Sequence, residues 1–401
     1  MFLVYMQLSD LIDSLPMKIP DFVQMTRALI ASPSVSSVNP AWDMGNLGVI
    51  ELLESWLKTL GFKTEILPIA GHPTKFNLIA TAGAGPGGLV LSGHTDTVPF
   101  DTGDWHSDPL RLVERDNRLY GMGTADMKGF FAVVLEAIRE LPLDQLDHPL
   151  ILLGTADEES SMCGAKALSE LPYRLGRHAV IGEPTGLRPI RMHKGIAMEA
   201  IRLTGKSGHS SNPDLGISAL EGMYRVIGEV IDWRGELQRD NRNPAFEVPF
   251  PTLNLGHIHG GDNPNRICGH CELQFDLRQL PGMELDALRA ELRDRLARLL
   301  HDSGLQWELI PLFEGIPAME TPREAIIVQA LESLTGYPAG AVAFGTEGPY
   351  LNQLGLETVI CGPGFIDQAH QPDEYLPLTH IQPGVELIKS LVRKFCLDSA
   401  T

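Results

Sequence analysis

The 401-residue chain contains no run of about 18 apolar residues, so no segment reads as a helix that spans a bilayer. It shows no internal repeat and no low-complexity tract, which argues against solenoids and biased, disordered stretches. Basic residues are scarce. There are 32 Lys and Arg against 51 Asp and Glu, for a net charge of −19. No dense Lys/Arg cluster appears, so nucleic acid is not an expected partner. The acidity suits a cationic small substrate, and it suits ordinary solubility equally well. The N-terminus, MFLVYMQLSDLIDSLPMK, lacks a basic leading region, and Asp10 and Asp13 follow its apolar patch at once. It does not read as a secretory signal. Residues 1–18 read instead as a leader, and the expected location is the cytoplasm, with no membrane attachment.

Cysteine is sparse too: Cys163, Cys268, Cys271, Cys361 and Cys396. An odd, thin set is not a disulfide framework. Cys268-Gly269-His270-Cys271 does match a CxxC redox spacing, but such a site needs the motif to open a helix. The flanks here alternate like a strand, where residues three apart face opposite ways.

What is present is globular: 43% hydrophobic and 21% charged residues. The length suggests about two or three domains. From about residue 20 to 190, helical patterns (46–60, 127–140) alternate with short apolar strands (76–81, 88–92, 149–155, 178–182). Continuous apolar strands between helices predict an α/β sheet, mixed but mostly parallel, covered by helices on both faces. The texture then changes to a β-α-β-β-α order, with strands near 195–206, 252–259 and 266–278 and helices near 217–233 and 285–300. The α/β alternation returns from about 306. The expected organisation is a catalytic domain (19–192 and 306–396) interrupted by a smaller α+β domain (193–305).

Polar groups collect at the predicted strand ends. His94 follows one strand, with Asp96 two residues on as a candidate to fix its tautomer. Asp126 lies between a strand and a helix, where the bland alternative is a helix cap. Asp157-Glu158-Glu159 closes a strongly apolar strand, and adjacent carboxylates repel unless a cation or solvent relieves them. Glu183 closes another strand. His370 follows a Gly-Pro-Gly turn far along the chain. Each feature alone reads as ordinary loop polarity. Together, on one rim of one sheet, two His and three carboxylates are what two adjacent divalent ions require. Nitrogen and oxygen donors without thiolates suit zinc, cobalt or manganese.

SGHTDTVP (92–99), GMGTADMKGF (121–130), TADEE (155–159), GEPT (182–185), SGHSS (207–211) and AHQPDEY (369–375) occur in this order. The chain resembles, from about Ile19 to Phe395, the M20 metallopeptidase family of aminoacylases, glutamate-releasing carboxypeptidases, succinyl-diaminopimelate desuccinylases and acetylornithine deacetylases. Residues 76–105 and 250–283 are similar to the acetylornithine deacetylase branch almost residue for residue. The resemblance implies two divalent ions, Zn2+ or Co2+. His94 and Glu183 would hold one and Glu159 and His370 the other, with Asp126 bridging and a cis peptide at Asp126-Met127. It implies Asp96 as the group that orients His94, Glu158 as general base and acid, and His209 as a partner of the reacting carbonyl oxygen. Asn265 and Arg278 would take the substrate carboxylate. The inserted domain would be ferredoxin-like and would make a homodimer. The substrate would be a small N-acyl amino acid, with N2-acetyl-L-ornithine cleaved to L-ornithine and acetate in arginine biosynthesis. Glu347, in Gly345-Thr346-Glu347, is a candidate for the substrate ammonium, or else a solvated loop acid. Alternatives are the same machinery acting on acetylcitrulline or succinyl-diaminopimelate, and a metal-free binding homologue. Against the last, Glu158 and all five ligand candidates are present.

Overall fold

A computed structural model describes residues 19–397. The expected leader, residues 1–18, lies outside the described residues. The chain forms two compact units. One is built from the described residues up to Pro189, from Arg323–Ala339 and from the described residues beyond Pro349. The other comprises Ile190–Pro322 and Gly340–Pro349.

In the first unit, Lys63–Ile69 and His72–Ala82 form an antiparallel hairpin. The chain reverses at Ala70-Gly71, where Gly71 has φ +79, a conformation that favours glycine in a two-residue hairpin loop. His72–Ala82 pairs antiparallel with Leu150–Thr155. Leu150–Thr155 and His178–Ile181 flank Leu89–His94 in parallel, and Glu357–Ile360 extends the parallel run from His178–Ile181. Every residue of Leu89–His94, Leu150–Thr155 and His178–Ile181 is buried. Burial on both faces is why these strands are apolar runs rather than alternating ones.

The helix Lys128–Ile138 is apolar nearly all round because it is enclosed. It packs over Leu89–His94 and between the helices Phe22–Ile30 and Ile381–Val392. Phe22–Ile30 begins with a capping box, in which Asp21 and Gln24 each accept the other's backbone N–H. Leu47–Thr59 lies against the hairpin. A small sheet of Val113–Arg115, Arg118–Tyr120 and Tyr375–Pro377 brings segments some 250 residues apart side by side. Runs of three residues are too short to reveal a period in the sequence.

Parallel strands end on a common edge, and the register sets what meets there. His94 lies opposite Thr155, and Ser92 lies opposite Ile181. Glu183 is therefore level with His94, each two residues beyond the Ser92–Ile181 pair. The turn carrying Glu158 and Glu159 opens just past Thr155.

The second unit has the order Ala197–Thr204, helix Ala219–Asp240, Thr252–Gly260, His270–Arg278, helix Leu285–Leu300 and Gln306–Pro311. Its sheet runs Thr252–Gly260, His270–Arg278, Ala197–Thr204, Gln306–Pro311, and every neighbouring pair is antiparallel. This βαββαβ arrangement is ferredoxin-like. Its core joins Trp233, Met223, Leu292 and Leu296 to Ile201, Phe275 and Cys271. Cys268 precedes the His270–Arg278 strand and Cys271 lies within it, and all five cysteines are free and buried. Cys268-Cys271 is therefore a piece of core, not a helix-opening redox pair.

The packing of Phe130 against the strand end that leads to Glu183 can be tested. A Cβ on Gly182 would sit 2.1 Å from the Phe130 ring, so Gly182→Ala should lower stability by about 2 kcal/mol through overpacking. A urea midpoint unchanged from wild type would contradict that packing.

Candidate functional site

The five expected ligand candidates come together at the carboxyl edge of the first unit's sheet. His94 Nε2 is 3.0 Å from Asp126 Oδ1 and 3.8 Å from Glu183 Oε1. His370 Nε2 is 3.4 Å from the other oxygen, Asp126 Oδ2, and 3.0 Å from Glu159 Oε1. Asp126 thus turns one oxygen to each histidine. Donor atoms of His94, Asp126 and Glu159 all lie within 4.8 Å of one another. The two ends differ in access: the His94 side chain is 1% exposed and that of His370 53%. One face of the cluster is sealed in the fold and the other meets solvent.

Local structure aims these groups. His94 Nδ1 donates to the Asp96 carbonyl at 3.1 Å, which leaves Nε2 facing Asp126 and Glu183. The Asp96 carboxylate lies 3.6 Å from His94 Nδ1. It also accepts the backbone N–H groups of Glu158 (3.2 Å) and Glu159 (3.1 Å), so it fixes the turn that carries both glutamates. His370 and Asp157 sit in the left-handed region, at φ +60 and +63. That region is sparsely used by such residues and recurs at functional positions. The Asp126-Met127 peptide is cis.

Asp157 turns out of the cluster. Its carboxylate is met by the buried Lys75 ammonium at 2.5 Å and by the Ser36 and Ser161 hydroxyls at 2.8 Å each. Lys75 also donates to Asp43 and the Met44 carbonyl. The three consecutive carboxylates are therefore divided between a lysine on one side and the histidine cluster on the other.

The electrostatics show a site short of positive charge. Burial pushes the His94 pKa down, but Asp126 and Asp96 outweigh it and hold the imidazolium well above its ordinary range. Hydrogen bonds to Asp126 and Glu159 raise His370 to about 10, against the effect of burial. Burial raises Asp126, yet the two histidines outweigh it and keep the carboxylate ionised. Burial raises Glu158 well above the usual carboxylate range despite the pull of His94, with Glu183 and Glu159 adding to the rise. Burial and Asp126 raise Glu159. A cluster that recruits protons onto imidazoles to balance its carboxylates is one that cations stabilise. Two imidazole nitrogens and three carboxylates, without thiolate, fit divalent ions that take nitrogen and oxygen ligands.

The remaining expected residues lie in the second unit. His209 Nδ1 accepts from Ser211, and the Asn265 carbonyl accepts the Ser210 N–H. Arg278 Nε is paired with Asp276 at 2.9 Å. Glu347 is fully buried, which rules out a solvated loop acid. Beside it the Thr346 N–H points to His193 Nε2 at 3.4 Å. His193 Nδ1 bonds the Lys194 carbonyl, and burial lowers His193 to about 4.

Three buried charged side chains at the first unit's site had no assigned role. Lys75 neutralises Asp157. Lys128 donates to the Ser32 carbonyl at 2.8 Å and is pushed down to about 7 by burial. Glu374 accepts three backbone N–H groups of the Asp126 turn. Their sequence signal was a charge inside an apolar strand, a charge opening an apolar helix, and a carboxylate four residues past His370.

The sequence model of peptidase family M20/M25/M40 matches residues 90–394. The acetylornithine deacetylase of Pasteurella multocida (strain Pm70) is 49% identical over 379 residues, 94% of this chain and 99% of the relative. That of Edwardsiella ictaluri (strain 93-146) is 48% identical over the same shares. Among solved structures, a tripeptidase from Staphylococcus aureus aligns with a TM-score of 0.72 at 20% identity, covering 93% of this chain and 97% of that one. A dinuclear metal-binding M20 peptidase from Bacillus subtilis aligns with a TM-score of 0.66 at 16% identity, covering 92% and 96%. Fold, cluster and relatives together define a metal-dependent hydrolase of the deacylase class. The chain belongs to peptidase family M20/M25/M40.

Divalent ions should displace the site's protons. His370 is raised in the metal-free fold, so its imidazolium stabilises that fold fully below about pH 6.5, and this contribution fades as pH rises through about 10. Metal needs the neutral imidazole, so Zn2+ added to metal-depleted protein in weak buffer at pH 7 should acidify the solution, and affinity should rise from pH 6 to 8. Affinity independent of pH, with no proton release, would count against these histidines as ligands.

Proposed function

We propose that the chain removes the acetyl group from N2-acetyl-L-ornithine, giving L-ornithine and acetate, as a cytoplasmic step of arginine biosynthesis. The observation that carries the metal chemistry is Asp126, whose two oxygens face His94 and His370 separately with Glu158 beside them. The substrate follows from the near-full-length similarity to relatives named acetylornithine deacetylase.

In this reading His94 and Glu183 would hold one divalent ion and Glu159 and His370 the other, with Asp126 available to both, and zinc or cobalt would suit these ligands. Such a pair acidifies a water and polarises the scissile carbonyl. Glu158 takes a proton from the attacking water and passes it to the amine nitrogen as the C–N bond breaks. Acetate and the free amine leave. Burial, which raises Glu158 well above the usual carboxylate range, makes it a better proton acceptor and so suits the transfer. Asp96 keeps Glu158 and Glu159 in place through their N–H groups. His209 serves the carbonyl oxygen, Asn265 and Arg278 the substrate carboxylate, and Glu347 its ammonium.

The inserted unit is proposed to pair two copies into a homodimer. Leu220, Tyr224 and Ile231 recur at helical spacing on the helix Ala219–Asp240 and are exposed, Tyr224 to 81%. Thr252–Gly260 is an edge strand of the adjoining sheet, with Ile258 also exposed. An open edge beside an apolar stripe is a surface that a second copy would cover.

Glu158→Gln should stay folded and metal-loaded while kcat drops by about 100- to 10,000-fold, the range for a general base. Undiminished turnover would remove Glu158 from that role. N-acetylornithine, N-acetylcitrulline and succinyl-diaminopimelate compared side by side test the substrate, and the proposal fails if acetylornithine is the poorest. Tyr224→Glu should convert a dimer to monomers in sedimentation. A monomeric wild type, or a variant that still dimerises, would exclude this surface.

A further inference from the structure

Asp126 spans the two histidines, so its aim determines whether one carboxylate can serve both sides of the cluster. Yet Asp126 sits in a turn between Arg118–Tyr120 and the helix Lys128–Ile138, not in a strand ladder. What holds that turn is Glu374. Its Oε1 accepts the N–H groups of Ala125 (2.8 Å) and Asp126 (3.0 Å), and its Oε2 accepts that of Gly123 (3.1 Å). Its own carbonyl accepts the Gly121 N–H at 3.0 Å. Four backbone donors of one turn thus end on one residue, which is 1% exposed. Convergent backbone N–H groups of this kind form a cradle for an anion.

Glu374 also lies four residues past His370, and Tyr375–Pro377 continues from it as the partner strand of Arg118–Tyr120. It therefore joins the loop that bears His370 to the turn that bears Asp126. A buried carboxylate with no lysine or arginine bonded to it is a costly way to hold two loops together. An apolar side chain could fill the space but could not accept three N–H groups at once. Resting on the metal-hydrolase reading above, we propose that Glu374 is a positioning residue of the metal centre: it fixes the Asp126 turn to the His370 loop so that one carboxylate reaches both ions.

Glu374→Gln tests this with almost no change in shape. The amide oxygen can keep the Ala125 and Asp126 bonds, while its NH2 meets the Gly123 N–H donor to donor. In the full-length chain, loaded with Co2+ and assayed on N-acetylornithine, we expect a folded protein with an altered visible cobalt spectrum. Metal affinity should fall about 10- to 100-fold, the range for residues that orient metal ligands. The kcat should fall by a comparable factor while KM stays within about threefold. Should the glutamine variant not fold, Glu374→Asp keeps the carboxyl group on a shorter arm and gives the same readouts. A folded variant with wild-type cobalt spectrum, metal affinity and kcat overturns the proposal, even if its melting temperature falls. Chelation of the wild type, run alongside, separates the two readings. Wild-type activity indifferent to chelator removes the metal centre and this proposal with it. Chelator-sensitive wild type with an unperturbed variant removes only the part assigned to Glu374.

Discussion

The constraint on which the first unit depends is the crowding of carboxylates at the end of its own sheet. The extensions of the parallel strands carry His94, Glu159 and Glu183 to a common edge, and the turn ahead of the helix Lys128–Ile138 adds Asp126 to them. In water such groups would spread out. Held by strands buried on both faces, they cannot, and repulsion between them must be met by positive charge. Two histidines supply part of it as imidazolium when they carry protons. Divalent ions supply more, and in doing so take the imidazole nitrogens as ligands.

The surrounding polar residues follow from that constraint. Lys75 draws Asp157 away, so that only Glu158 and Glu159 of the acidic run remain at the site. The Asp96 carboxylate sets the backbone of those two glutamates. Lys128 ties the opening of its helix to the Ser32 carbonyl. Glu374 ties that turn to the loop of His370. The burial of these groups is unfavourable taken singly. Each is hydrogen-bonded, and together they leave the ligand carboxylates few ways to relax. The chemistry proposed needs that rigidity, since Asp126 has to face two partners at once.

Much of this was legible in the amino-acid sequence. Leu89–His94, Leu150–Thr155 and His178–Ile181 announce themselves as apolar runs because they are buried on both faces, and the polar residues closing them mark the rim. The helices Leu47–Thr59 and Leu285–Leu300 carry clear periods. Lys63–Ile69 did not show, because its half-exposed pattern is broken by Pro68 and it takes its structure from the hairpin partner. The three-stranded sheet that brings Tyr375 beside Tyr120 was invisible for want of length. With it went the role of Glu374, whose meaning lies in a contact across some 250 residues of chain. Glu347 read as a solvated loop acid or a substrate contact; spacing gives no hint that it is fully buried.

The most direct test is the number of ions the cluster holds. Metal-depleted chain dialysed against micromolar Zn2+ and analysed for bound metal should carry two ions per chain, and Asp126→Asn should lose at least one of them. Two ions retained in that variant, or a wild type that holds none, would contradict a centre built around one shared carboxylate.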